Sequence, residues 1–375
     1  MDERQYVVVE LDRGDGDLPE LGTARGSLSE EEAHDLNRRP GTVVAEAMPY
    51  RLIEPLDEED ADPTATPTWG VEAVGALESS TTGDGITVAV LDTGIESGHP
   101  AFAGVDVVER NFTTDEPGDT HGHGTHCAGT IAGRDVEGTR IGVAPGVTRL
   151  LAGKVLGEGG GGTDSIASAI QWAVDEGASV ISMSLGIDFP GFVERLRLAG
   201  WETEPATSRA LAAYRDNLRL MEALAEFVKA RFQFGRSAVL VAAAGNESER
   251  NAQRPYTIDV AAPAASRGFI SVAAVGEGPD DGFTVAPFSN TGADLAGPGV
   301  AVVSAGLGGG LRSMSGTSMA TPHVAGVAAL WAERLLDETG AIDPQLLGER
   351  VVGTARGVAG LTAVDGGAGM VRAPE

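Results

Sequence analysis

The sequence predicts an α/β fold on a mainly parallel central sheet, and three observations carry that prediction. Short, almost wholly apolar runs at 86–91, 148–155, 179–185 and 238–244 alternate with helical patterns, the composition of strands buried on both faces. Asp92, Gly186 and Asn246 follow three of these runs, at the strand ends where parallel sheets bind ligands. The chain has 375 residues, enough for two domains or for one large domain with an appendage.

In chain order, residues 5–11 are dense in valine and read as a strand. Ser29, three residues ahead of Glu32, forms a capping-box pattern that opens a short helix. Residues 42–47 and 50–53 read as extended. The stretch Asp57-Glu58-Glu59-Asp60-Ala61-Asp62-Pro63, running on to Pro67, repels itself and can bury no apolar area, so 57–68 is a linker. It separates an N-terminal segment, 1–56, from a larger domain, 69–375.

In that domain the strand at 86–91 ends in Asp92-Thr93-Gly94, and the strand at 148–155 leads into the glycine run 159–162. Residues 165–175 form a helix with Ile166, Ala169, Ile170 and Ala173 on one face. Asp188-Phe189-Pro190-Gly191 starts a loop able to overhang a site. Residues 208–232 make one amphipathic helix whose apolar face is Leu211, Tyr214, Leu218, Met221, Leu224, Ala225 and Val228, packed on the sheet from outside. Near the C-terminus Val324, Val327, Ala328, Leu330, Trp331 and Leu335 have helical spacing. Pro322 is expected in the first turn of that helix, where its missing N–H costs nothing.

Composition narrows the function. The net charge is −28 and lysine occurs only at 154 and 229, so the chain has no basic footprint for nucleic acid. No apolar run reaches membrane-spanning length, and no membrane partner is expected. Residues 1–5 lack a basic start followed by an apolar stretch, which gives a cytoplasmic expectation and leaves secretion open. The single cysteine, Cys127, excludes an internal disulfide framework.

Ser318 lies between small residues just before the last helix, where free N–H groups and the dipole favour negative charge. The position suits a nucleophile, and equally a simple helix cap. Of six histidines, His121, His123 and His126 lie in one short block. A zinc site there lacks the usual companions, because no HExxH and no cysteine pair is present. One of these histidines could instead act as base to Ser318, held by Asp92 at its strand end.

Three separated blocks then carry a resemblance: Asp92-Thr93-Gly94, HGTHCAG at 123–129 and GTSMATPHVAG at 316–326, supported by GVAP at 142–145, KVLGEGGGGT at 154–163, SMSLG at 182–186 and VAAAGNE at 241–247. From about Trp69 to the C-terminus the chain resembles a subtilisin-like serine peptidase, or subtilase. A lipase-type elbow does not fit, since Ala320 stands where a second glycine is needed. The resemblance implies a three-layer fold with helices flanking the sheet and a serine endopeptidase acting on protein or peptide substrates. It makes Ser318 the nucleophile, His123 the acid and base, and Asp92 the residue that holds the imidazole. Asn246 becomes an oxyanion donor beside the Ser318 N–H. Gly160, Gly161 and Gly162 on one side, with Ser184, Leu185 and Gly186 on the other, become the edges that clamp an extended peptide.

Departures from the family also carry information. A frequent calcium-ligating aspartate after the His99-Pro100 pair is replaced by Ala101, and Asp135 and Glu137 in the loop 133–140 do not make a metal site by themselves, so no metal ligand is assigned and no cofactor is required, a structural calcium being left open. Cys127 matches the thiol-containing branch and is expected to pack near the base. About thirty extra residues lie between Gly186 and Asn246, an insertion placed at about 187–220. The glycine-lined walls favour an apolar residue before the scissile bond, while Glu247 could admit a basic one. Residues 1–56 resemble, more weakly, the inhibitory propeptide of subtilases, through residues 43–52. That implies a zymogen restrained by its own N-terminal segment, the alternative being an accessory β-module over an exposed sheet edge.

Overall fold

A computed structural model of the chain describes residues 4–12, 19–57, 68–279 and 282–375. Apart from its ends, the acidic linker lies outside the described residues.

The N-terminal segment supplies β1 (Arg4–Asp12), β2 (Glu20–Leu28), α1 (Glu30–Asn37), β3 (Thr42–Glu46), β4 (Pro49–Leu52) and β5 (Leu56–Asp57). β2, β1 and β3 form an antiparallel sheet. α1 starts at the capping box read from the sequence: Ser29 accepts from the Glu32 N–H, and Glu32 accepts from the Ser29 N–H at 2.8 Å. The valines of β1 alternate. Val7 and Val9 face the larger domain, while Tyr6 packs with Ala33 of α1 and Val44 of β3.

The larger domain opens with α2 (Trp69–Ala73), β6 (Thr87–Asp92), β7 (Asp106–Asn111), α3 (His123–Ala132), β8 (Arg149–Lys154), β9 (Gly161–Gly162) and α4 (Thr163–Asp175). Then come β10 (Val180–Met183), β11 (Leu185–Ile187), α5 (Phe189–Leu198), α6 (Thr203–Ala230), β12 (Val239–Ala243) and β13 (Phe269–Glu277). The chain ends with β14 (Phe283–Val285), β15 (Leu295–Pro298), β16 (Val302–Ala305), β17 (Leu311–Ser315), α7 (Thr317–Thr339), α8 (Pro344–Gly353) and α9 (Ala363–Gly366).

The central sheet runs β14-β13-β12-β10-β6-β8-β7, with β15 also paired to β13. Every pair in it is parallel except β13 with β14. Period-two burial explains why these strands looked uniformly apolar. In β6, Val88 and Val90 pack beneath α3 and α7, whereas Ala89 and Leu91 pack toward α4 and α6. β12 divides its residues in the same way, Val239 and Val241 against Leu240 and Ala242. Helices thus cover both faces, giving the three-layer α/β fold.

The insertion departs from expectation. The stretch from Asp188 is a helix, not a loop: the Asp188 carboxylate caps it by accepting from the Gly191 N–H, and Pro190 stands in the first turn. Its partner α6 has 28 residues and begins earlier than expected. The buried stripe of α6 is Ala206, Ala210, Ala213, Asn217, Leu220, Met221 and Leu224, so Leu211, expected on the apolar face, is 51% exposed. The reason is an extra partner. Besides α4 and the sheet, α6 packs against β3 of the N-terminal segment, which small alanines allow to approach closely. No described helix is long and apolar enough to cross a membrane.

Candidate active site

Asp92 ends β6 and His123 opens α3, and the two meet at 2.7 Å between Oδ1 and Nδ1. Glycine makes this approach possible: a Cβ at Gly124 would lie 2.1 Å from the Gly94 carbonyl oxygen, so helix and turn could not otherwise touch. Asp92 Oδ1 also accepts from the Thr93 N–H at 2.8 Å. Both side chains are fully buried. Burial disfavours the imidazolium, yet the Asp92 carboxylate, with Cys127, holds His123 well above the ordinary histidine value.

Ser318 is the second residue of α7. Pro322 is not in the first turn, as expected, but further into the helix, where its ring nitrogen cannot donate to the Ser318 carbonyl four residues back. That carbonyl is satisfied from outside the helix, by Ser184 Oγ at 3.2 Å and Cys127 Sγ at 3.4 Å. Cys127 Sγ also lies 3.8 Å from His123 Nδ1. The thiol and Ser184 therefore fix the backbone of Ser318 from below, a role that no sequence signal announces.

Asn246 follows β12 after Gly245, which has φ +112° and a Cβ position only 2.3 Å from Asn290 Nδ2. Only glycine fits there. Asn246 Oδ1 accepts from the N–H and the hydroxyl of Thr317, each at 2.9 Å. The amide is thereby oriented, with Nδ2 turned to the Glu54 carbonyl.

The sequence missed a hub at Asp119. Its carboxylate accepts from Thr93 Oγ1, the N–H groups of His121 and Gly122, and both the N–H and hydroxyl of Thr125, at 2.6–3.0 Å. It ties the turn after Asp92 to the start of α3. An aspartate just ahead of a helix start was the available signal.

The cleft is occupied by the chain itself. β4 lies antiparallel between β11 and β9, with Leu52 opposite Leu185, Arg51 opposite Gly186 and Tyr50 opposite both Ile187 and Gly161. Gly161, Gly162, Leu185 and Gly186 are thus brought to one strand, Gly160 lies beside the Tyr50 carbonyl, and Ser184 turns inward to Ser318. Beyond β4, Ser318 Oγ donates to the Ile53 carbonyl at 3.1 Å and Asn246 Nδ2 to the Glu54 carbonyl at 3.0 Å. The chain then continues as β5 against β17. His123 Nε2 has no hydrogen-bond partner among the described residues.

His126 and His323 are engaged with backbone carbonyls. His126 bonds the Val302 and Arg312 carbonyls, and burial with the nearby His123 pushes it down to about 3. His323 bonds the Met319 carbonyl and is pushed down to about 4 by burial. Among the described residues the one group spaced for a metal is Asp92, His123 and Cys127, so His121, His123 and His126 do not converge on a zinc ion. The position after His99-Pro100 carries no carboxylate for calcium. Ala101 is a buried methyl, and the Arg134 guanidinium, already cationic, bonds the carbonyls of Ala132, Pro145 and Val147 around the adjacent loop.

Residues 83–369 match the sequence profile of the subtilase family. The chain is 33% identical over 291 residues to the Intracellular serine protease of Paenibacillus polymyxa, covering 76% of each chain. It is 38% identical over 350 residues to Alkaline elastase YaB of a Bacillus species, covering 88% of this chain and 78% of the relative. It is 36% identical over 330 residues to the Thermostable alkaline protease of Halalkalibacterium halodurans, covering 85% and 74%. The chain therefore belongs to the subtilase family and is a serine endopeptidase.

Proposed function

We propose that Asp92, His123 and Ser318 are the catalytic triad, that Asn246 and the Ser318 N–H receive the oxyanion, and that the N-terminal segment keeps the enzyme inactive by lying in its substrate cleft. In the working enzyme Ser318 Oγ attacks the peptide carbonyl and His123 Nε2 takes its proton, then returns it to the leaving amine. Asp92 fixes the tautomer with the proton on Nδ1 and stabilises the imidazolium. The acyl-enzyme on Ser318 is released by water along the same route.

The observation that carries the inhibitory reading is β4, held as a substrate-like strand with its following carbonyls on Ser318 and Asn246. Two different carbonyls are engaged. Ser318 spends its hydroxyl proton on the Ile53 oxygen while Asn246 binds the Glu54 oxygen, so neither peptide group has nucleophile and oxyanion donor together. Supporting contacts reach far from the cleft: Asn217 of α6 donates to the Glu46 carbonyl at 2.8 Å, and Arg209 pairs with the Glu46 carboxylate. The 88% coverage with Alkaline elastase YaB exceeds what residues 83–375 can supply, so that similarity extends into the N-terminal segment. A cytoplasmic location is part of the same reading, supported by the name of the Paenibacillus polymyxa relative.

A fluorophosphonate should label the protein at Ser318 and leave Ser318→Ala unlabelled; labelling of that variant would overturn the assignment. A chain beginning at Thr68 should turn over a short peptide faster than the full chain. Equal initial rates would count against inhibition.

A further inference from the structure

The strand lodged in the cleft shows what the cleft recognises, and one contact is specific to side-chain charge. Arg51, at the centre of β4, pairs its guanidinium with two carboxylates from different segments: Asp188 Oδ1 at 3.4 Å and Glu247 Oε1 at 3.2 Å. Neither carboxylate depends on Arg51 for its position. Asp188 is fixed as the cap of α5 by the Gly191 N–H at 3.0 Å. Glu247 is fixed by Asn290, which donates to Oε2 at 2.7 Å and accepts from the Glu247 N–H at 3.1 Å. Asn290 is itself fully buried and bonds the Ala244 carbonyl and Ser248. Two carboxylates held rigidly toward one point repel each other unless a cation lies between them, and in a chain of net charge −28 that repulsion is not relieved from afar.

We propose that Asp188 and Glu247 form a recognition site for a basic side chain, and that this peptidase prefers protein segments with arginine or lysine third before the scissile bond. The register comes from Arg51 standing two residues ahead of Ile53, whose carbonyl meets Ser318. The proposal rests on reading β4 as a substrate mimic. Glu247, considered from the sequence as a partner for the residue directly before the scissile bond, is instead directed to this more distant position. Arginine fits better than lysine, because a planar guanidinium can address both carboxylates at once.

The test compares two fluorogenic peptides, identical except for arginine or glutamine third before the cut, with the full-length enzyme. Both carboxylates are partly exposed, so the arginine peptide should be favoured by about 3- to 10-fold in kcat/KM. That ratio should shrink as ionic strength rises. Asp188→Asn and Glu247→Gln should each reduce the ratio, and the double variant should bring it to about one. Equal cleavage of the two peptides by the wild type overturns this proposal and leaves the peptidase reading standing, as does a preference that survives in the double variant. Cleavage of neither peptide, by the wild type or by the full-length Arg51→Gln enzyme whose cleft strand is loosened, overturns both. As a check within the chain, Arg51→Gln should raise the initial rate of the full-length enzyme and Arg51→Lys should raise it less; a lower rate for Arg51→Gln also counts against the proposal.

Discussion

Tyr50 gives the strongest test of the proposed self-inhibition, because two substitutions of one residue should move activity in opposite directions. The ring is 1% exposed, packed among residues of the catalytic domain. Its hydroxyl is buried without a hydrogen-bond partner among the described residues. Burial, with Tyr214 nearby, raises its pKa, so the hydroxyl stays protonated. Replacing a buried aromatic by alanine forfeits about 3–5 kcal/mol of packing, while an unpaired buried hydroxyl already costs about 1–3 kcal/mol. Tyr50→Ala should therefore loosen the closed state by about 2 kcal/mol net, roughly a 30-fold rise in the fraction of enzyme with an open cleft. Tyr50→Phe keeps the packing and removes only the buried hydroxyl, which in the open state would be hydrated. It should tighten closure by at least about 1 kcal/mol, a roughly five-fold fall in the open fraction. The assay is the initial rate of full-length enzyme on a short fluorogenic peptide, with thermal unfolding as a control for global damage. A Tyr50→Phe enzyme faster than wild type, or a Tyr50→Ala enzyme no faster, would refute the reasoning.

The other predictions concern the base and the metal question. A catalytic base must be neutral to accept a proton, and the Asp92 carboxylate raises the pKa of His123; the acid limb of kcat/KM should therefore lie above about 6.5, the unperturbed histidine value. Activity is present above that pKa and lost as pH falls through it, and an acid limb below the unperturbed value would contradict the assignment. Chelator should leave the melting temperature unchanged, since the buried Ala101 methyl stands where a carboxylate ligand would be needed and Arg134 bonds the carbonyls of Ala132, Pro145 and Val147. Arg134→Ala, by contrast, should lower it by several degrees, from about 1–3 kcal/mol of unsatisfied carbonyls. A melting temperature that falls in chelator and recovers with added calcium would overturn that account.

Legibility in the sequence followed how local each signal was. The capping box at Ser29 and Glu32, the apolar strands, the strand end at Asp92 and the helix starts near His123 and Ser318 each depend on a few neighbouring residues, and the structure has those elements in place. Leu211 was misread because periodicity locates an apolar face without saying which neighbours exist; the approach of β3 rotates the buried stripe of α6 onto alanines. Pro322 was misplaced because helix-start statistics favour proline in the first turn. They could not foresee that Ser184 and Cys127, distant in sequence, would satisfy the carbonyl it leaves free. Asp119 was overlooked for a related reason, since its ligands lie on two elements that only the fold brings together.

By itself, then, the sequence determined the α/β alternation, the family and the identity of the residues proposed for catalysis, because burial period, turn chemistry and motif spacing are properties of contiguous residues. The tertiary structure alone decided that Arg51 lies between Asp188 and Glu247, that Asn246 is turned by Thr317 to face the cleft, and that residues 49–57 run past Ser318. Those facts rest on backbone pairing and polar contacts between segments 71 to 265 residues apart. Such contacts have no period, and only packing selects which of many polar partners meet.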